Sequence, residues 1–224
     1  MKITCIVGGQ NDPSNSETLA RAFLEGAANA GAETRIALLR EKNIDAFTLR
    51  NYETAWPVET DFREIQEAIE WCDGLVVASP IWNFGIPANL KNVIDRCGSF
   101  GLDSETRTVG QWGGKPFYLL FTGGAPHAAW TGLFRKTTSF VPTALQYFGG
   151  VHVGTHFEPR CMTAKGVFGL TVDKRPESLA AVRHKGTEFT SVVRQHAQTG
   201  ELPFKLRAKR RLYQVGQYIQ RKFL

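Results

Sequence analysis

The sequence predicts an α/β fold in which helices cover both faces of a parallel sheet. Short apolar runs alternate along the chain with segments whose apolar residues recur at helical spacing, which is typical of βαβ units with right-handed crossovers. The run at residues 74–78 is continuously apolar, as expected for a strand buried on both faces. The chain of 224 residues is long enough for one such domain with an appendage.

Five strands and five helices follow from these patterns. The second strand alternates, and the first helix is expected to end at Gly31. Asp61 and Glu64 are placed to form a capping box, Pro87 occupies a first helical position, and Gly149-Gly150 closes the fourth helix. The predicted strands are residues 2–7, 33–39, 74–79, 116–122 and 151–157, and the predicted helices are residues 19–30, 61–72, 87–97, about 131–148 and 177–198.

Composition is that of an ordinary globular protein, with 42% apolar and 21% charged residues. There is no run of 18 or more apolar residues, and residues 1–7 are typical of a strand rather than a signal peptide, so we expect a cytoplasmic protein. The four cysteines, Cys5, Cys72, Cys97 and Cys161, show no paired spacing. They are therefore predicted to be buried free thiols rather than disulfides or metal ligands.

The positive charge of the chain is concentrated at one end. The formal net charge is +6, but residues 203–224 contain seven Lys or Arg and no acid, whereas residues 1–202 contain 20 basic and 21 acidic side chains. The larger part has no excess of positive charge, so no nucleic-acid partner is expected.

The most informative segment is the loop of residues 80–86, between the third strand and the third helix. It lies at the carboxyl end of a parallel strand, where open α/β sheets bind ligands. Trp82 and Phe84 offer flat apolar faces there, while Asn83 and the Gly85 amide offer hydrogen-bond donors. Burial of both rings in the core is the alternative, which a loop position disfavours. We therefore expect a planar heterocycle to lie on this loop.

The pattern Pro80-x-x-Asn83-Phe84-x-Ile86-Pro87-x-x-Leu90-Lys91-Asn92-x-x-Asp95 resembles the FMN-contacting segment of flavodoxin-like NAD(P)H oxidoreductases, in particular FMN-dependent azoreductases and quinone reductases. The resemblance implies a flavodoxin-like three-layer sandwich with a five-stranded parallel sheet in the order 2-1-3-4-5. It further implies FMN, NADPH or NADH as reductant, a quinone, azo or nitro compound as small-molecule electron acceptor, and a homodimer. It assigns the flavin platform to Pro80, Ile81, Trp82, Asn83 and Phe84.

A second candidate loop follows the first strand and is rich in hydroxyl groups. Small residues and a free helix N-terminus suit a phosphate dianion, but Ser14-x-x-Glu17 is equally a capping box. The residues alone do not decide between the two. The resemblance favours the FMN phosphate, bound by Ser14, Ser16 and Thr18. Neither a dinucleotide-binding glycine motif nor a P-loop is present.

The third loop follows the fourth strand. Paired glycines there allow close approach of the backbone to a planar ligand, although they also form tight turns. The stretch from Gly114-Lys115 to Gly123-Gly124 resembles the strand beside the flavin in quinone reductases, so Thr122, Gly123 and Gly124 are further predicted cofactor contacts. His127 is the predicted catalytic residue, donating a proton or hydrogen bond to the acceptor. A solvated loop histidine is the open alternative.

No metal site is predicted. His152 and His156 lack cysteine or acidic partners nearby. The loop of residues 40–60 has no cysteine cluster, unlike that of the related iron–sulfur flavoproteins. Two other classes of function stay open: a non-enzymatic flavodoxin-type electron carrier or flavin-binding module, and a scaffold that has lost its cofactor.

The chain divides into a flavodoxin-like FMN-binding domain, residues 1–199, and a basic amphipathic extension, residues 200–224. In the extension, apolar and basic residues recur at helical spacing: Lys205, Ala208, Leu212, Val215, Ile219, Lys222 and Phe223. Such a helix packs on its own or a partner subunit, or makes peripheral contact with an anionic membrane through residues 203–224.

Overall fold

A computed structural model describes residues 1–53 and 55–222, with side chains described for all of these except residues 134 and 217–222. The predicted fold class is confirmed. Five parallel strands form one sheet in the order β2-β1-β3-β4-β5. The strands are β1 (Lys2–Val7), β2 (Glu33–Leu38), β3 (Gly74–Pro80), β4 (Pro116–Thr122) and β5 (Val151–Glu158).

Helices cover both faces of this sheet. On one face, α1 and α7 pack together with β1, β3 and β4 around Phe23 and Phe189. On the other, α2, α3 and α6 pack around Ile69, Val93 and Leu145. The helices are α1 (Asn15–Asn29), α2 (Thr60–Trp71), α3 (Ala88–Arg96), α4 (Gly98–Gly101), α5 (His127–Gly132), α6 (Phe140–Tyr147), α7 (Pro176–Thr199) and α8 (Phe204–Lys222).

The central strands are enclosed by these two layers. In β3 every residue from Gly74 to Ser79 is buried, and β4 is buried along its whole length. Apolar side chains therefore leave water on both faces of the sheet, which is the main driving force for this arrangement. As predicted, all four cysteines are buried free thiols.

Several local predictions were wrong. The first helix begins at Asn15, about one turn before the predicted residue 19. The helix expected at residues 131–148 is divided into α5, a 3₁₀ turn (Phe134–Thr138) and α6. Pro142 accounts for part of this, because proline is tolerated in the first turn of α6 but would break the interior of a longer helix. The capping box of Asp61 with Glu64 is also absent, since Glu59 is the N-cap residue and no side chain caps α2. Asp61 instead accepts a hydrogen bond from the backbone N–H of Asn43 at 2.7 Å.

The C-terminal extension contains the predicted helix. Gly200 adopts φ +69°, a left-handed conformation that favours glycine, and ends α7 before α8 begins. Leu202, between the two helices, is only 1% exposed. The side chains of Ile219 and Lys222, and all of Phe223, lie outside the described residues. Within the part of the chain that is described, no helix is both long and apolar enough to span a bilayer.

Candidate active site

A crevice open to solvent lies at the carboxyl ends of β1, β3 and β4. This is the edge of the sheet at which open α/β folds bind ligands. Eight of the eleven predicted cofactor-binding residues line it, from all three predicted loops. The lining residues are Gly9, Asn11, Pro13, Ser14, Asn15, Ser16, Pro80, Ile81, Trp82, Thr122, Gly123, Gly124, Cys161, Phe168 and Gly169.

The turn before α1 forms a polar cradle at one end of the crevice. The hydroxyl oxygens of Ser14 and Ser16 are 3.0 Å apart, and both side chains are buried. The Ser14 hydroxyl also accepts a hydrogen bond from the Glu17 backbone N–H at 3.4 Å. Ser14 thus caps α1 and lines the crevice, so the two interpretations of this turn are compatible. The positive end of the α1 dipole adds attraction for an anion here.

Gly9 leaves the cradle open. A Cβ atom at this position would lie 2.5 Å from the Ser16 hydroxyl oxygen and 2.8 Å from that of Ser14. Any side chain on residue 9 would therefore fill the space between the two hydroxyls. The third predicted hydroxyl residue, Thr18, does not line the crevice, and its hydroxyl donates to the Ser14 carbonyl at 2.9 Å. Thr18 holds the turn in shape, and its contact with a phosphate stays a prediction.

The aromatic loop after β3 is a tight turn. Trp82 and Gly85 exchange two backbone hydrogen bonds, each 2.9 Å long. The two residues between them, Asn83 and Phe84, have φ of +48° and +66°, the left-handed conformation of a type I′ turn. The Gly85 N–H, expected to be free for a heterocycle, is therefore used within the turn.

Only part of this loop reaches the crevice. Pro80, Ile81 and Trp82 line it, whereas Asn83 and Phe84 do not, and Phe84 is 63% exposed. The Ile81 backbone N–H donates to the Thr122 carbonyl at 2.8 Å, which joins this loop to the one after β4. The contacts of Asn83 and Phe84 with a cofactor stay predictions. They would require a bound ligand to extend beyond the crevice lining to reach these residues.

Neighbouring side chains lie close to both glycines of the loop after β4. A Cβ atom on Gly123 would lie 2.9 Å from the Phe157 ring, and one on Gly124 would lie 3.0 Å from the Met162 sulfur. Gly123 is also fixed by two backbone hydrogen bonds, donating to the Glu158 carbonyl at 3.0 Å and accepting from the Cys161 N–H at 2.9 Å. These two hydrogen bonds therefore fix the position of the Gly123 backbone at the crevice wall.

Sequence reasoning missed the segment after β5, which forms a further wall through Cys161, Phe168 and Gly169. Asn15 attaches this wall to the cradle. Its side-chain amide donates to the Gly169 carbonyl at 2.8 Å, and its oxygen accepts from the N–H groups of Thr171 at 2.9 Å and Val172 at 3.1 Å. Its position in the chain could have revealed this wall, because the segment follows a parallel strand and so begins at the carboxyl edge of the sheet.

His127, the predicted catalytic residue, is exposed at the start of α5 and does not line the crevice. It borders a neighbouring open groove. There the buried Glu158 accepts from Arg175 at 2.7 Å, Ser178 at 3.1 Å and His156 at 3.3 Å. Burial opposes ionisation of Glu158, but these hydrogen bonds outweigh it and lower its pKa. The catalytic role of His127 stays a prediction.

The Cys161 thiol at the crevice wall is 6% exposed. Burial is the main reason that its pKa is raised to about 11. At neutral pH the group is therefore a protonated thiol rather than a nucleophilic thiolate. It supplies an uncharged, weakly polar surface to the crevice.

Comparison with known proteins identifies relatives of this chain. The family model described as NADPH-dependent FMN reductase matches residues 1–144. An FMN-dependent NADH:quinone oxidoreductase of Azospirillum brasilense is 29% identical over 154 residues, which cover 66% of this chain and 68% of that protein.

Solved structures show the same fold. An NAD(P)H:quinone oxidoreductase from Methanothermobacter marburgensis superposes with a TM-score of 0.69 at 19% identity, covering 84% of this chain and 96% of that one. An FMN-dependent NADH-azoreductase from Bacillus anthracis, in complex with FMN, superposes with a TM-score of 0.54 at 15% identity, covering 85% of this chain and 98% of that one. At such identities the structural likeness speaks for the fold alone.

Replacing Asn15 with alanine is expected to release the wall formed by the segment after β5. The amides of Thr171 and Val172 would lose their acceptor, and a lost hydrogen bond of about 1 kcal/mol corresponds to several-fold faster exchange. Hydrogen exchange measured by mass spectrometry on residues 161–172 tests this. The exposed Asn29, replaced by alanine, is the matched control and should leave exchange there unchanged. Equal protection in both variants would contradict the proposed attachment.

Proposed function

The chain belongs to the NADPH-dependent FMN reductase family, and from that premise we propose that it reduces quinones, with azo or nitro compounds as weaker acceptors. Family membership makes the protein an NAD(P)H-dependent oxidoreductase with FMN as its cofactor. The observation that carries the proposal is the convergence of three loops on one crevice. Quinone reduction is supported by the sequence relative from Azospirillum brasilense, which carries that activity in its name.

The residues of the crevice suit FMN. At one end, the Ser14 and Ser16 hydroxyls and the α1 N-terminus offer hydrogen bonds and a positive dipole for the phosphate. Gly9 keeps that cradle open, as the clash of a Cβ atom there demonstrates. Pro80 to Trp82 and Thr122 to Gly124 form the walls against which the flavin ring would lie. No second nucleotide-binding motif supports FAD instead.

When bound, FMN supplies the redox chemistry, accepting hydride from the nicotinamide and passing two electrons to the acceptor. The protein contributes position and exclusion of water. The walls after β3 and β4 are held together by the hydrogen bond from Ile81 to Thr122, and Trp82 contributes an aromatic residue to the lining. Fixed walls would hold the reactants in a productive orientation, which lowers the entropic cost of reaching the transition state.

Binding of FMN should depend on the open cradle. Gly9→Ala would place a methyl group against both serine hydroxyls, so we expect FMN affinity to fall by at least about tenfold, the equivalent of one or two lost hydrogen bonds to a charged group. Fluorescence titration of the apoprotein with FMN measures this. Gly216→Ala is the matched control, because nothing lies within 4 Å of its Cβ position and it is in α8, away from the crevice. Unchanged affinity for Gly9→Ala would place the phosphate elsewhere.

We propose ping-pong kinetics, in which the nicotinamide and the acceptor occupy the same crevice in turn. Double-reciprocal plots of NADPH oxidation at several quinone concentrations should then be parallel. Intersecting lines would indicate simultaneous occupancy. Absence of flavin bleaching by either NADH or NADPH would favour the non-enzymatic carrier.

His127 is proposed to donate a proton to the reduced acceptor from the neighbouring groove. A positioned general acid contributes about 10²–10⁴-fold, so His127→Gln should lower the rate of acceptor reduction by about two orders of magnitude. Flavin reduction by NADPH should be unchanged, and stopped-flow absorbance separates the two half-reactions. The exposed His184→Gln is the control. If both variants behave as the wild type, His127 is a solvated loop residue.

We further propose a cytoplasmic homodimer. Exposed apolar side chains cluster at the same edge of the sheet as the crevice: Phe84 is 63%, Phe168 66% and Val167 52% exposed. Packing against a second copy would remove this surface from water. Sedimentation equilibrium should therefore give twice the 24.9 kDa of the chain. A monomer at micromolar concentration would contradict this part of the proposal.

A further inference from the structure

The helix α8 has an inner and an outer face that differ in exposure. Along the inner face, Leu206, Arg210 and Tyr213 are half-buried against the domain. Along the outer face, Phe204 is 76%, Leu212 75% and Val215 56% exposed. These outer residues recur at the spacing of one helical stripe. The stripe is therefore not a contact with the helix's own domain.

Contacts of the inner face fix which side of α8 faces outward. The Tyr213 hydroxyl donates to the Thr143 carbonyl at 3.2 Å. The Arg210 guanidinium packs directly over Gly114, where a Cβ atom would collide with it. Leu202, buried just before the helix, anchors its start. Turning the outer stripe inward would require all three contacts to break.

Basic side chains flank the outer stripe. Residues 203–224 contain seven Lys or Arg and no acid. Arg207 is paired with Glu201 at 2.7 Å. Lys205 and Arg211 are exposed, and neither has an acidic partner among the residues that the structure describes. The outer face thus combines apolar side chains with uncompensated positive charge.

We propose that this outer face binds the surface of an anionic lipid bilayer. The apolar stripe would enter the boundary between headgroups and acyl chains, and the flanking basic residues would contact the lipid phosphates and carboxylates. A second copy of the chain is disfavoured as occupant, because it would place the same excess of positive charge against itself. Nucleic acid would pair with the charges but leave Phe204, Leu212 and Val215 in water.

Sedimentation with vesicles tests the proposal on the full-length, flavin-loaded protein. Vesicles of phosphatidylcholine alone are compared with vesicles that also contain phosphatidylserine, at low ionic strength. We expect binding to the phosphatidylserine vesicles only. Raising the salt should release the protein, because exposed charges are screened over distances of about a Debye length.

Two variants separate the apolar and the electrostatic contributions. Leu212→Gln with Val215→Gln keeps the charge and should weaken vesicle binding at least about tenfold through lost apolar burial. Lys205→Gln with Arg211→Gln keeps the stripe and should weaken binding about twenty-five-fold, at roughly fivefold per basic residue. Arg63→Gln with Lys174→Gln removes as much exposed charge from the domain and should bind within about twofold of the wild type.

Several results would overturn the proposal. These are no binding to phosphatidylserine vesicles, equal binding to phosphatidylcholine, and full binding by either tail variant. A change of oligomeric state in the Leu212 and Val215 variant, measured without vesicles, would assign the face to a second copy instead. Flavin absorbance reports folding independently of vesicle binding. If a variant loses its flavin, the proposal is judged from the wild-type protein alone, by comparing its binding to vesicles with and without phosphatidylserine.

Discussion

Burial of the sheet on both faces is the constraint on which the rest of the structure depends. Helices α1 and α7 occupy one face of the sheet and α2, α3 and α6 the other, so a ligand can approach the central strands only at their ends. Parallel strands bring all their carboxyl ends to one edge, and β1, β3 and β4 are adjacent there. Loops that are far apart in sequence therefore share one crevice. The site follows from the way the core is buried.

The features that could be predicted from the sequence are those with a local signal. A continuous apolar run such as β3 marks a buried strand by composition alone, and the residue after such a run must lie at the edge of the sheet. For that reason the loops that contain Pro80, Ser14 and Gly123 could each be placed at the carboxyl edge of the sheet, and the resemblance then assigned them to one site. The order of the strands in the sheet was predicted from the resemblance, because an apolar run does not indicate which strands pair with each other.

What could not be predicted depends on contacts between distant segments or on the exact path of a turn. Asn15 and Gly169 are 154 positions apart in the sequence, and no local pattern marks the hydrogen bond between them. The path of the left-handed turn that Asn83 shares with Phe84 was not predicted, and neither residue is part of the crevice lining. By contrast, the division of the helix predicted at 131–148 did have a local signal in Pro142, because proline is not tolerated in the interior of a long helix.

The polar cradle before α1 is formed without a cation in the crevice lining. Glu17 lies in the first turn of α1, where its negative charge alone would repel a phosphate at the same helix terminus. Burial opposes its ionisation, but hydrogen bonds from Arg40 and Arg21 outweigh this and lower its pKa, so the carboxylate is ionised and paired. Arg40 is thus paired with Glu17. With that charge compensated, the serine hydroxyls and the N-terminal end of the α1 dipole are left to attract an anion in the cradle.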